Sequence, residues 1–80
     1  MKLMIFVMED SVSEASINAL VEQGFRVTQL ASTGGFLRKG NTTLLVGLED
    51  SDIERASTLV KSAASNALAI TLDLERYERM

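Results

Sequence analysis

The segment MIFVMEDSVSEA, residues 4–15, is followed 40 positions later by a related segment, LLVGLEDSDIER, residues 44–55. Each copy begins with an apolar run that is typical of a buried strand and then continues into Glu-Asp-Ser. The serine starts a Ser-x-x-Glu pattern, the capping box of a helix N-terminus, so Ser11 and Ser51 are expected to cap two helices. The repeat therefore predicts two strand–helix units in one chain.

Apolar residues recur at helical spacing after each of the two serines. In the second unit the stripe is clear and consists of Ile53, Ala56, Val60, Ala63 and Ala64. In the first unit it is less regular and consists of Val12, Ile17, Leu20 and Val21. The first helix is expected to stop near Gly24, because glycine readily ends helices.

A further strand is expected after each helix, in FRVTQLAS (residues 25–32) and in ALAITLDL (residues 67–74). The element order is then βαββαβ, which is typical of the ferredoxin-like α+β fold. In that fold two split βαβ halves share one four-stranded antiparallel sheet, with both helices on one face. Eighty residues suffice for a single domain, so we expect one unit over residues 1–80.

The strands LMIFVM (residues 3–8) and LLVGL (residues 44–48) do not alternate between apolar and polar residues. A strand with one wet face should alternate, so both faces are expected to be buried. Two helices can cover only one face of the sheet. The pattern therefore predicts that other subunits cover the open face.

Composition argues against several classes of protein. The chain has no cysteine and no histidine, so it lacks thiolate metal ligands and the usual general base, and we expect no metal, no cofactor and no catalytic residues. The apolar run after Lys2 is only six residues long, too short for a signal peptide or a membrane span. We therefore expect a soluble cytoplasmic protein that is not an enzyme.

Charge is unevenly distributed along the chain. The net charge is −3, yet residues 23–48 carry Arg26, Arg38 and Lys39 with no acidic residue. A small basic region on an acidic protein suits one small anion better than a nucleic acid polymer, whose binding depends on many phosphate contacts.

The loop TGGFLRKGNTT, residues 33–43, has two interpretations from its residues alone. Gly34-Gly35 and Gly40-Asn41 are pairs that suit a tight hairpin turn. The same glycines would let backbone N–H groups approach an anion closely. In that case Arg26 and Arg38 would bind phosphate, Phe36 would stack on a base and the Asn41 amide would contact an adenine edge.

The stretch FRVTQLASTGGFLRKGNTTLLVG, residues 25–47, closely resembles the core of the PII-like cyclic di-AMP receptors, small bacterial signalling proteins. The resemblance implies a PII-like ferredoxin fold, a homotrimer, cyclic di-AMP held between neighbouring subunits, and a downstream partner protein that the sequence does not identify. The residues that fall on pocket-lining positions of that family are Arg26, Thr28, Gly35, Phe36, Leu37, Asn41 and Gly47.

The chain departs from that family most clearly in KSAASNALAITL, residues 61–72, where a long loop normally precedes the last strand. Gly24 stands where an asparagine often contributes to the pocket, Ile70 near a position that is often aromatic, and Arg79 near a tail glutamine.

One alternative is thus a PII-like scaffold that has lost cyclic di-AMP binding or binds another nucleotide or small anion. An acyl phosphatase is disfavoured by the acids after the first strand, and an RNA-recognition module by the scarcity of aromatics.

Overall fold

The computed structural model describes residues 1–30 and 40–74. Its elements are β1 (Lys2–Glu9), α1 (Asp10–Glu22), β2 (Val27–Leu30), β3 (Asn41–Leu48), a 3₁₀ turn (Asp50–Asp52), α2 (Ile53–Ala63) and β4 (Leu68–Asp73). The predicted order of strands and helices is confirmed.

The four strands form one antiparallel sheet in the order β2-β3-β1-β4. The two strand–helix units are therefore interleaved, because β3 lies between β1 and β2 while β1 lies between β3 and β4. This is the ferredoxin-like α+β arrangement that the repeat predicted.

The core lies between the sheet and the two helices. On β1 the side chains of Met4, Phe6 and Met8 are buried, and the register pairs Phe6 with Leu44 and Met4 with Val46. The helices contribute Leu20, Ala56, Val60 and Ala64, which are also buried. Each large side chain buried in this way stabilises the fold by roughly 1.5–3 kcal/mol.

Helix α1 packs through small residues. Ser13 and Ser16 are buried beside Leu20, and their hydroxyls donate to the carbonyls of Asp10 (2.8 Å) and Val12 (3.0 Å). The irregular stripe predicted for this helix was wrong at Val21, which is 54% exposed. Serines with satisfied hydroxyls take the positions on the buried face that apolar residues were expected to fill.

The predicted capping boxes do not form. The N-cap positions are occupied by Glu9 and Asp52, neither of which makes a side-chain cap hydrogen bond. Helix α1 begins at Asp10 because that residue is held by the residue before β3: its N–H donates to the Gly40 carbonyl at 2.9 Å. Ser51 lies within the 3₁₀ turn instead of capping α2.

Of the glycines within residues 1–30 and 40–74, two have a positive φ, which glycine adopts without strain. Gly24 follows the end of α1 with φ +88°, as predicted for the helix stop, and Gly40 precedes β3 with φ +90°. A side chain at either position would strain the backbone. Within residues 1–30 and 40–74, no helix has the length and apolar character needed to cross a bilayer.

Candidate ligand site

Four of the seven predicted site residues, Arg26, Thr28, Asn41 and Gly47, belong to the described part of the chain. The other three, Gly35, Phe36 and Leu37, lie outside the described residues, as do Arg38, Lys39 and Arg79.

All four described residues lie on the open face, defined here as the sheet face opposite the helices. Val46 is buried toward the helices, so its neighbours Leu45 and Gly47 point to the open face. The register pairs Thr28 with Leu45, and Arg26, two residues earlier, continues the same alternation. Asn41 pairs with Glu9 on this face at the other end of β3.

The open face consists of cross-strand rows that run from β4 to β2. One row is Leu72, Leu3 and Gly47, continued by Arg26, and the next is Ile70, Ile5, Leu45 and Thr28. The third is Leu68, Val7, Thr43 and Leu30. Arg26, Thr28 and Gly47 therefore form one cluster at the β2 edge, beside an apolar surface.

Gly47 has no side chain and therefore leaves a gap in its row of the open face. Nothing within the described subunit requires glycine at this position. Its φ is not positive, and a Cβ built there would meet nothing within 4 Å among the described residues. A glycine inside a strand costs roughly 0.5–1 kcal/mol relative to alanine and often marks the close approach of a ligand or another backbone. The position thus has the features of a contact point for something outside the subunit.

Asn41 is not brought to this cluster within one chain. It lies six positions from Gly47 on β3, which corresponds to about 20 Å along the strand. Its end of the strand is anchored to α1, because the Thr42 hydroxyl donates to the Asp10 carboxylate at 2.5 Å. The subunit therefore carries two separated parts of the predicted site.

A cavity of about 400 Å³ lies beside Asn41. It is bounded by the end of β1, the start of α1, the C-terminal end of α2 and the connection from α2 to β4. Glu9 and Asn66 line it together with Asn41, whereas Arg26, Thr28 and Gly47 do not. Sequence reasoning missed Glu9 and Asn66; the signal that could have indicated the cavity is the short connection after α2.

The cations of the described residues differ in their surroundings. Lys2 forms salt bridges with Asp50 (4.0 Å) and Asp73, and Arg55 contacts Asp52 at 3.3 Å and lies 4.7 Å from the centre of the Phe25 ring. Arg26 makes no salt bridge with any residue in the described ranges. Among the described cations, its guanidinium is thus available to meet an anion on the open face.

A family model described as the cyclic-di-AMP receptor matches residues 1–73. The chain belongs to the cyclic-di-AMP receptor family. The match covers all seven predicted site residues, including those outside the described ranges. A cyclic-di-AMP receptor is a binding protein.

Among solved structures, this cyclic-di-AMP receptor family member is similar to a protein of unknown function from Pediococcus pentosaceus, with a TM-score of 0.84 and 26% sequence identity. The similarity covers 99% of this chain and 96% of the other. The ferredoxin-like fold is therefore shared along nearly the whole length of both chains.

Proposed function

We propose that this protein is a cytoplasmic signalling receptor that binds cyclic di-AMP between the subunits of a homotrimer. The observation that carries the proposal is the location of Arg26, Thr28, Asn41 and Gly47 on one face of the sheet, within a match to the cyclic-di-AMP receptor family. The binding residues and the surface available for subunit contact thus coincide.

The separation of the two parts of the site supports a ligand shared between subunits. Asn41 and Gly47 are at opposite ends of β3, about 20 Å apart, so one compact ligand does not contact both in a single subunit. A neighbouring subunit packed on the open face would bring its own Arg26 cluster toward Asn41. Each ligand would then have a guanidinium for phosphate on one side and an amide for the base on the other.

The apolar character of the open face supports self-association. Leu30, Leu68, Ile70 and Leu72 are 38–56% exposed and lie in the rows of this face. Burying the remaining exposed area of these side chains would stabilise an assembly by several kcal/mol per subunit, at roughly 25 cal/mol per Å² of apolar surface. Monomeric proteins rarely leave such a contiguous apolar surface wet.

The test is a calorimetric titration of the purified protein with cyclic di-AMP, with cyclic di-GMP and ATP as controls and light scattering to measure the mass. We expect selective binding of about one ligand per subunit, lost in Arg26→Ala but retained in Lys61→Ala, which removes an exposed cation of α2. Absence of binding to an intact oligomer would contradict the receptor function and favour a scaffold or a receptor for another anion. The downstream partner would be sought only after ligand binding is established.

A further inference from the structure

Both neighbours of Asn41 along the chain are held by one residue, Asp10. The Asp10 N–H donates to the carbonyl of Gly40, which precedes Asn41, at 2.9 Å. The Asp10 carboxylate accepts from the hydroxyl of Thr42, which follows Asn41, at 2.5 Å and across 32 positions of sequence. The first residue of α1 is therefore bonded to the chain on either side of a predicted ligand-binding residue.

The side chains of Asp10 and Thr42, with the hydrogen bond between them, are called the clamp here. Thr42 is paired with Met8 and both are buried on the helix side of the sheet, whereas Asn41 is paired with Glu9 on the open face. Neither clamp residue lines the cavity beside Asn41. The clamp therefore acts on Asn41 through the backbone and not through contact with a ligand.

The chain around Asn41 has little other support. Gly40 has a φ of +90°, and glycine has the widest choice of backbone conformations. Within the described residues, Asn41 has a strand partner on one side only, Glu9 on β1, since the pairing of β2 with β3 ends at Leu30 opposite Thr43. A side chain on a backbone that is free to shift binds more weakly, because its alternative positions are lost when the ligand is bound.

We infer that Asp10 is a positioning residue for ligand binding, which holds the backbone at Asn41 so that the amide is oriented before the ligand arrives. The inference rests on the proposed function, because that function makes Asn41 a residue that contacts cyclic di-AMP. Helix α1 then has a role beyond covering the sheet, since its first residue fixes one part of the ligand site. Support of this kind behind a binding residue preserves affinity by preorganisation.

The first test is a double-variant cycle between Thr42 and Asn41, measured by calorimetric titration with cyclic di-AMP. Thr42→Val removes the hydroxyl donor and should weaken binding by about 3- to 10-fold, the factor that corresponds to one net hydrogen bond. In an Asn41→Ala background the same substitution should change affinity by less than about twofold, because the positioned amide is already absent. An equal loss in both backgrounds would overturn the inference.

Further variants separate positioning from a general loss of stability. Thr42→Ser keeps the hydroxyl and should recover most of the affinity that Thr42→Val loses. Asp10→Ala should weaken binding as much as Thr42→Val, with no further loss when the two are combined. Thr58→Val makes the same chemical change at an exposed position of α2 and should leave affinity unchanged. A Thr42→Ser variant that binds as weakly as Thr42→Val would contradict a role for this hydrogen bond.

NMR relaxation of the Asn41 side-chain amide needs no ligand and therefore distinguishes failure of this inference from failure of the proposed function. The amide should be more mobile in Thr42→Val than in the unmodified protein, and Thr42→Ser should restore its order. If the unmodified protein does not bind cyclic di-AMP, the proposed function fails, but the same difference in mobility is still expected. Equal mobility in Thr42→Val and the unmodified protein would refute the positioning role, whatever the titrations show.

Discussion

The Thr42 hydroxyl donates to the Asp10 carboxylate at 2.5 Å and so joins β3 to the start of α1, across 32 positions of sequence. The Asp10 N–H donates to the Gly40 carbonyl in the same place. These two bonds fix the end of β3 where Asn41 and the cavity lie. The relationship also explains why α1 starts at Asp10 and not after the serine that follows it.

Replacing Thr42 by valine should destabilise the subunit. The variant keeps the shape of a buried side chain (4% exposed) but removes the donor, and the Asp10 carboxylate can recover only part of the loss from water. We expect the free energy of unfolding to fall by about 1–2 kcal/mol, less than the largest contributions of hydrogen bonds to charged groups. Urea unfolding at fixed protein concentration measures it. Thr58→Val on the exposed face of α2 is the control, and an equal effect there would show that the Thr42–Asp10 bond contributes nothing specific.

Replacing Gly47 by alanine should separate folding from binding. The subunit has room for the added Cβ, so its free energy of unfolding should be unchanged or higher by about 0.5–1 kcal/mol. Cyclic di-AMP binding should weaken, because the methyl group occupies the gap that the ligand or the neighbouring subunit approaches.

Gly24→Ala is the matched control for that variant. Its φ of +88° disfavours alanine, so stability should fall by about 1 kcal/mol, whereas Gly47→Ala should cause no such loss. Equal affinities for Gly47→Ala and the unmodified protein would remove Gly47 from the site.

Replacing Ile70 by lysine should break the assembly. Ile70 is 40% exposed in the middle row of the open face, and a charge there would be buried without a partner on association. Light scattering should show a shift toward monomer. Val21→Lys places the same charge on a more exposed apolar residue of α1, away from the open face, and should leave the mass unchanged. Loss of the assembly in both variants, or in neither, would contradict the role of the open face.

The sequence predicted the elements well because their signals are local. The repeat and the apolar runs gave the order of strands and helices, and Gly24 gave the end of α1. The first capping box failed because α1 begins at Asp10, before Ser11, where the Asp10 N–H is bonded to the Gly40 carbonyl. The second failed because Ser51 lies within the 3₁₀ turn that precedes α2. The apolar stripe predicted for α1 was wrong at Val21 because small serines occupy part of the buried face of this helix. A pattern of apolar residues alone does not identify buried serines.

The candidate site was predictable only in part. Strand alternation alone would place Arg26, Thr28 and Gly47 on one face, and the register pairs Thr28 with Leu45, two residues from Gly47 on β3. The sequence alone did not show that Asn41 lies far from these three residues. That distance follows from the length of β3, which extends from Asn41 to Leu48. The cavity depends on where the connection after α2 passes the end of β1. The shortness of that connection is visible in the sequence, but its path is not.

Replacing Arg26 by lysine tests whether the charge or the geometry of this residue binds phosphate. Lysine keeps the positive charge but loses the planar pair of donors that matches two phosphate oxygens. If Arg26 binds bidentately, affinity for cyclic di-AMP should fall about tenfold, which corresponds to about 1.4 kcal/mol, and Arg26→Ala should lose considerably more. Calorimetric titration at two salt concentrations distinguishes bidentate phosphate binding from a diffuse charge effect. Equal affinities for arginine and lysine, with the same salt dependence, would show that Arg26 acts only as a diffuse charge near the open face.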